Sequence, residues 1–252
     1  MSLVRRLRAR VSGIALWLRV LRVREQIARR HLRGHGIEIG ALSHPLRMPR
    51  GATVDYVDRW GGEGLRAQYP DLADQKIVEP DILDDATRLA TIADDSQDFV
   101  VANHFLEHCE DTVGALKTFL RVTRPGGVVF IAVPDKRRTF DSARPTTPLE
   151  HVLRDHELGA EGSRVQHYEE FARLVERVPD DALRVHVAHA LENEQYHMHF
   201  HVWTHETFLE LLDALREPLG FEIAEERSHA HESIVVLQRR RDAAGPDAAP
   251  QS

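Results

Sequence analysis

Three histidines at alternate positions, His197, His199 and His201, form the densest run of groups able to exchange a proton near neutral pH in this chain. In an extended segment they share one face, with Met198, Phe200 and Val202 on the other. Three successive ligands on one strand make an awkward tetrahedron for zinc, and no cysteine lies near. General-base chemistry or structural packing suits the segment better. His201 or His199 is the expected base, with His108 a third candidate. A second concentration runs through Asp135, Lys136, Arg137, Thr139, Asp141 and Arg144, then Glu150 and His151, with His167 and Tyr168 beyond. Acids, arginines and hydroxyls in such density suit a polyhydroxylated ligand held by charge-assisted hydrogen bonds. Asp135 or Glu150 could also orient two hydroxyls through a divalent ion such as magnesium.

These groups need a frame. Phe99 to Ala102 and Val128 to Val133 are apolar runs without polar alternation, as expected of strands buried on both faces. Between them Leu106, Val113, Leu116, Phe119 and Leu120 mark a helix, and Pro125-Gly126-Gly127 reads as the turn into the second strand. Strand, helix, strand implies a parallel sheet, whose strand ends hold ligands. Upstream, Gly36 to Gly40 reads as a short strand ended by a glycine, Thr53 to Asp58 as a second and Ile77 to Ile82 as a third. Asp58 is placed to accept both hydroxyls of a ribose and Asp81 to read an adenine edge. A dinucleotide fingerprint would need glycines where Leu42 and Pro45 stand, which argues against NAD or FAD.

Glu38-Ile39-Gly40-Ala41, the strand ending in Asp58, Asp81 after the third strand, Asn103-His104-Phe105-Leu106-Glu107-His108 and Arg121-Val122-Thr123-Arg124-Pro125-Gly126-Gly127 together resemble class I S-adenosylmethionine-dependent methyltransferases. The likeness covers residues 36–135 and resumes over 204–238. It implies an α/β fold with a doubly wound, mostly parallel seven-stranded sheet and S-adenosylmethionine as cofactor. Glu38, Gly40 and Ala41 would border the methionyl group, Asp58 the ribose, Asp81 and Ile82 the adenine, and Asn103 the methionyl amino group, with Arg59 and His104 also among the cofactor-binding residues. The glycine-rich loop of the family retains only Gly40. On this reading residues 34–135 and 202–240 form the cofactor domain. Residues 136–201 form a helical cap over the acceptor, with helices at Leu149–Leu158, Val165–Val178 and Asp181–Glu192. The histidine run and the residues after Asp135 also look like a branch associated with bacterial glycan and glycolipid assembly. That closer likeness implies a sugar hydroxyl, on a small molecule or an oligosaccharide, as acceptor; the alternatives are another small molecule, such as a lipid quinone or polyketide, and a non-catalytic cofactor-binding module.

Charge and cysteine content narrow the partners. Residues 1–33 carry ten arginines against one acid, so the remainder is strongly acidic in a chain of net charge -7. An acidic body argues against nucleic acid as ligand. Leu7, Val11, Ile14, Leu18 and Leu21 recur at helical spacing between arginines, an amphipathic basic helix that could pack on the domain, on a second copy or on an anionic membrane surface. A single cysteine, Cys109, excludes an internal disulfide framework and suits a reducing cytoplasm. The Ala- and Pro-rich stretch 241–252 is expected to be a disordered tail.

Overall fold

The computed structural model describes residues 3–72 and 74–241, with side chains from residue 16 onward. Residues 242–252 of the expected tail 241–252, and the side chains of Leu7, Val11 and Ile14 in the N-terminal helix, lie outside what is described.

Seven strands form one sheet: β1 (Gly34–Ile39), β2 (Ala52–Asp58), β3 (Ile82–Leu83), β4 (Gln97–Asn103), β5 (Thr123–Pro134), β6 (Phe221–His229) and β7 (Glu232–Arg239). Their order is β3-β2-β1-β4-β5-β7-β6, all parallel except β7, which runs antiparallel to both neighbours. The helices are α1 (Leu3–His31), α2 (Gly62–Gln68), α3 (Thr112–Val122), α4 (Leu149–Leu158), α5 (Arg164–Leu174), α6 (Asp181–Asn193) and α7 (His205–Leu219).

The central strands are apolar throughout because both faces are covered. Val100, Val129, Ile131, Val235 and Leu237 point to the side of α3 and α7, where Leu116, Phe119, Phe208 and Leu212 close the core. Phe99, Val101, Phe130, Ile234 and Val236 point the opposite way, against Ile27, Ala28 and Leu32 at the end of α1. The packing stripe of α1 is Val20, Arg24, Ile27 and Ala28, and not the one containing Leu18, which is 46% exposed. The reason is electrostatic: Arg24 lies on the buried face because Glu232 receives both arms of its guanidinium there.

Three local readings differ from expectation. The segment after β4 enters a 3-10 turn at Leu106–His108 before α3 begins, because the Asp111 side chain accepts the Gly114 N–H and caps the helix there. Pro125-Gly126-Gly127 lies within β5 as an irregularity and is not a separate turn; Gly126 takes φ 82. Strand three is shorter and later than Ile77 to Ile82, with consequences for the site.

The chain leaves the sheet at Asp135 and returns at Trp203, which pair in an isolated parallel bridge. Between them α4, α5 and α6 build a cap with its own core of Tyr168, Phe171, Ala188, Met198 and Phe200. Thr204 and Thr207 then form a capping box that starts α7.

Gly36 is where β1 touches β4. A Cβ there would meet the Phe99 carbonyl oxygen at 2.2 Å and its ring at 2.5 Å. Gly36→Ala is expected to lower stability by about 3 kcal/mol, the upper range for overpacking; an unchanged urea midpoint would show that the two strands can move apart freely.

Candidate functional site

The C-terminal ends of β1, β2 and β4 open into a cavity of about 610 Å³, roofed by Tyr69 and by residues 194–197 of the cap. Gly40, Asp58, Arg59 and His104 line it, and so do Asp85, Ala86, Phe105 and His108. A second cavity of about 270 Å³ shares Gly40, Leu42, Leu72 and His104 with the first and continues under α1, where Glu38, Ala41 and Asn103 form its wall. The two make one bent cleft. Gly40 sits at the bend with φ 60, and a Cβ on it would have only the Phe105 ring near, at 3.9 Å, so the backbone is open to a ligand.

Two polar features show what this cleft is built to hold. Both amide atoms of Asn103 are buried next to the shared wall without a hydrogen bond of good geometry, though its amide lies close enough to Glu38 to lower that carboxyl's pKa. Asp58 stands at the end of β2, half-buried, and burial raises its carboxyl pKa against the lowering effect of the Arg59 and Trp60 N–H groups. A ribose at Asp58 and a polar aminoacyl group at Asn103 fit these positions. Glu38 is more buried than either, and both its oxygens accept the Leu46 N–H, at 2.9 and 3.0 Å. It organises the crossover loop, residues 40–51. Burial raises its pKa to about 7.

The adenine-side expectation shifts. Asp81 accepts the Tyr56 N–H at 2.9 Å and Ile82 pairs with Val57, so both are spent on attaching β3 to the sheet. Asp85 and Ala86, just past the end of β3, line the cavity instead. The rule of an acid beyond the strand end could have found Asp85, had the strand been placed at Ile82–Leu83.

At the floor, four charges interlock. Arg24 grips Glu232, Glu232 accepts from His104 Nε2 at 2.7 Å, and His104 Nδ1 lies 3.3 Å from the buried Glu107 carboxylate. Burial pushes His104 down, but the two carboxylates outweigh it and hold its pKa at about 9. The same contacts overcome burial to bring Glu232 to about 2. His104 takes φ 52, an uncommon conformation for a side chain of this kind. Arg24, Glu232, Trp17 and Tyr69 were not foreseen; no spacing rule connects the N-terminal helix or a hairpin strand to this cleft.

The histidines separate. His108 donates from Nδ1 to the Met198 carbonyl (2.8 Å), and its ring faces His197 and His199, both with centroids 4.8 Å away. Burial lowers its pKa to about 4. His199 holds Asp141 through Nδ1 at 2.6 Å. His201 does not share their face. A bend at Phe200, where Phe200 and His201 N–H groups both turn to the Glu107 carbonyl, breaks the alternation and drives His201 into full burial beside His151, His167 and Trp203. Burial, then the neighbouring His167, lower its pKa to about 3.

The residues expected to form one acceptor surface also divide. Asp135 and Arg137 pair with each other beside His229, on the hairpin side. Lys136 donates to the Ser142 carbonyl and Thr139 caps the turn at Asp141. Asp141 and Arg144 are buried: Arg144 binds Asp141, Glu170 and the carbonyls of His199 and Phe200, and so fixes the histidine segment from inside. Glu150 is exposed on α4. Tyr168 alone of the ten lines the cap cavity described next. Of the carboxylates offered for magnesium, Asp135 is paired with Arg137 and Glu150 is exposed on α4, and neither belongs to a cluster of three or more convergent metal-binding groups among the described residues.

A third cavity of about 650 Å³ lies between the cap and α3, bordered by Glu110, Asp111, Arg164 and Tyr168. It shares Arg59, His108 and His197 with the first cavity. His108 therefore stands in the wall common to both.

Residues 34–131 match the model of the family described as "Methyltransferase domain". No curated protein matches the chain. Solved structures similar to it include a SAM-dependent methyltransferase from Aquifex aeolicus (10% identity, 85% of this chain and 88% of that one, TM-score 0.47). Another is a SAM-dependent methyltransferase from Methanosarcina mazei (15%, 85% and 97%, 0.46). A Rhodobacter sphaeroides protein whose structure bears the name of a zinc-dependent alcohol dehydrogenase matches at 16% identity over 87% and 90%, with TM-score 0.50, and speaks to the fold alone. The sheet order and the domain match define the class I methyltransferase architecture. Residues 34–131 thus match a methyltransferase domain, which implies S-adenosylmethionine as the methyl donor.

Two measurements check the cofactor side. Asp58→Ala is expected to weaken S-adenosylhomocysteine binding at least about tenfold in calorimetry, since hydrogen bonds to a charged group are worth about 1.5–3 kcal/mol; equal affinity would remove Asp58 from the ribose. Glu38, with a folded pKa near 7 against 4.5 unfolded, favours the fold when protonated. Stability should thus fall as pH rises from about 4.5 to 7 and level off above. Glu38→Gln in ligand-free protein is expected to gain on the wild type by about 2 kcal/mol between pH 5 and pH 8; parallel stability curves would contradict this.

Proposed function

We propose that this methyltransferase places a methyl group on a hydroxyl of a sugar or glycan in the cytoplasm, with His108 as the general base. The observation that carries this reading is the position of His108 in the wall between the cofactor cleft and the cap cavity. The acidic, basic and phenolic border of that cavity supports a hydroxylated acceptor, which needs several directed hydrogen bonds.

When bound, S-adenosylmethionine supplies an electrophilic methyl carbon on a sulfonium, whose carbon–sulfur electron pair leaves with sulfur. Gly40, Ala41 and Asn103 would hold its methionyl part, Asp58 its ribose, and Asp85 with Ala86 its adenine. The cap brings the acceptor hydroxyl to the cleft, and this positioning is the larger part of the acceleration, about 7–11 kcal/mol at its best. His108 is suited to the remainder. Its Nδ1 hydrogen is committed to Met198, so Nε2 carries the lone pair that takes the hydroxyl proton as oxygen bonds to carbon. Burial keeps it neutral but weakly basic, so its role as base leans on the Glu107 carboxylate beside it, which compensates the charge it gains as the proton moves. His199, locked on Asp141, orients the ring of His108 from the far side. His201, sealed away from the cleft, is not part of this step.

His108→Ala is expected to lower kcat by about 10² to 10³ and to leave S-adenosylhomocysteine affinity within about threefold. Wild-type turnover would end the assignment. Labelled methyl offered with sugar, glycan and lipid extracts tests the acceptor class: label in the carbohydrate fraction is expected, and label confined to the lipid aglycones would refute the sugar reading.

A further inference from the structure

His151, Asp155, His167 and His201 converge under the cap, apart from the walls of the two cofactor cavities. One donor atom from each lies within 4.8 Å of all the others. His151 Nε2 is 3.0 Å from both His167 Nε2 and Asp155 Oδ2, and the last two are 3.7 Å apart. A tetrahedral zinc ion with ligands at about 2.0–2.2 Å spaces them roughly 3.4 Å apart, so these edges bracket the required size.

The supporting bonds already orient the donors. His201 donates from Nε2 to the Glu110 carbonyl at 3.0 Å, which leaves the lone pair on Nδ1; that atom is buried without a partner in a residue of 0% exposure. Asp155 is held by the Ser163 hydroxyl, which donates at 2.9 Å to the same oxygen that faces the histidines. Imidazoles and one carboxylate, with His201 and Asp155 each fixed by a second bond, are the donors a borderline divalent ion selects. We propose that these four residues bind one zinc ion, which ties α4 and α5 to the extended segment 196–203.

Four protein donors complete a zinc coordination shell, so the ion is structural and not an activator of the acceptor. One rearrangement is required. Arg154 lies 2.6 Å from His151 Nδ1. When Nε2 gives up its hydrogen to bind the ion, that hydrogen moves to Nδ1 and the exposed arginine swings into solvent. The second convergent cluster, Glu107, His108 and His199, offers only three donors, and Glu107 is already paired with His104.

Full-length protein stripped with chelator and titrated with zinc against a chromophoric competitor tests the site, with cobalt as a spectroscopic probe of tetrahedral geometry. One equivalent is expected to bind, with an accompanying rise in Tm. His167→Ala and Asp155→Ala are each expected to weaken binding about 100-fold or more and to abolish the rise in Tm. His108→Ala and the exposed His186→Ala should retain both. His151 is 18% exposed, so His151→Ala is the variant to use if circular dichroism shows the buried ones unfolded; it too should lose the ion. Wild type that fails to compete for zinc overturns the proposal, as does binding that survives in His167→Ala, or in His151→Ala, and disappears in His108→Ala.

Discussion

The buried pair of Arg24 and Glu232 is the interaction on which the cleft depends. It joins the N-terminal helix to the antiparallel strand β7, and through Glu232 it reaches His104 at the end of β4. Neither charge could be buried alone: removing one partner of such a pair typically costs about 3–5 kcal/mol, because the other is left in a medium that does not solvate it. Three elements far apart in sequence are thereby brought to one point. The same contact turns α1 so that Trp17, Val20 and Leu21 wall the second cavity. An N-terminal helix that looks like an appendage is therefore a wall of the cleft.

The cap is assembled on a similar principle. Arg144 is almost fully buried, and its guanidinium binds two carboxylates and two carbonyls of the histidine segment. A segment without helix or strand hydrogen bonds must satisfy its backbone groups in some other way. Here a buried guanidinium does so, with the Glu107 carbonyl taking the Phe200 N–H. Much of the polar density between Asp135 and Asp155 serves to build the cap rather than to meet a ligand, which explains why so little of it faces a cavity.

What the sequence discloses follows from which interactions are local. The doubly buried strands, the helices α4 and α6 and the cap on α7 depend on periodicity and near-neighbour capping, and they stand within a few residues of where the pattern puts them. Asp58 is legible for the same reason, since it ends a short strand, Ala52–Asp58, rich in β-branched and aromatic residues. Strand three is only Ile82–Leu83, too short to carry a period, so its boundary was misplaced and Asp81 was read where Asp85 lines the wall. The histidines misled for a different reason. Alternation predicts a common face only while the chain stays extended, and a tertiary contact with the Glu107 carbonyl bends it at Phe200. In α1 the apolar stripe of the sequence was outweighed by one buried arginine whose partner lies more than two hundred residues away.

The charges around the cleft also bear on turnover. Arg24 and His104 balance Glu232 and Glu107, so that network is close to neutral. Asp58 and Glu38 stand one at each arm and make no salt bridge among the described residues, although Arg59 and Arg24 lie near enough to lower their pKa values against burial. A cleft with unbalanced carboxylate favours a cationic ligand over a neutral one of the same shape, by an amount that grows as water is excluded. Methyl transfer converts a sulfonium into an uncharged thioether. The attraction is lost at that moment, while the shape-dependent contacts to ribose and adenine remain. On the proposed donor site, charge would draw the donor in and weaken the hold on the spent product, and Glu38, whose pKa burial raises to about 7, would tie part of that difference to pH.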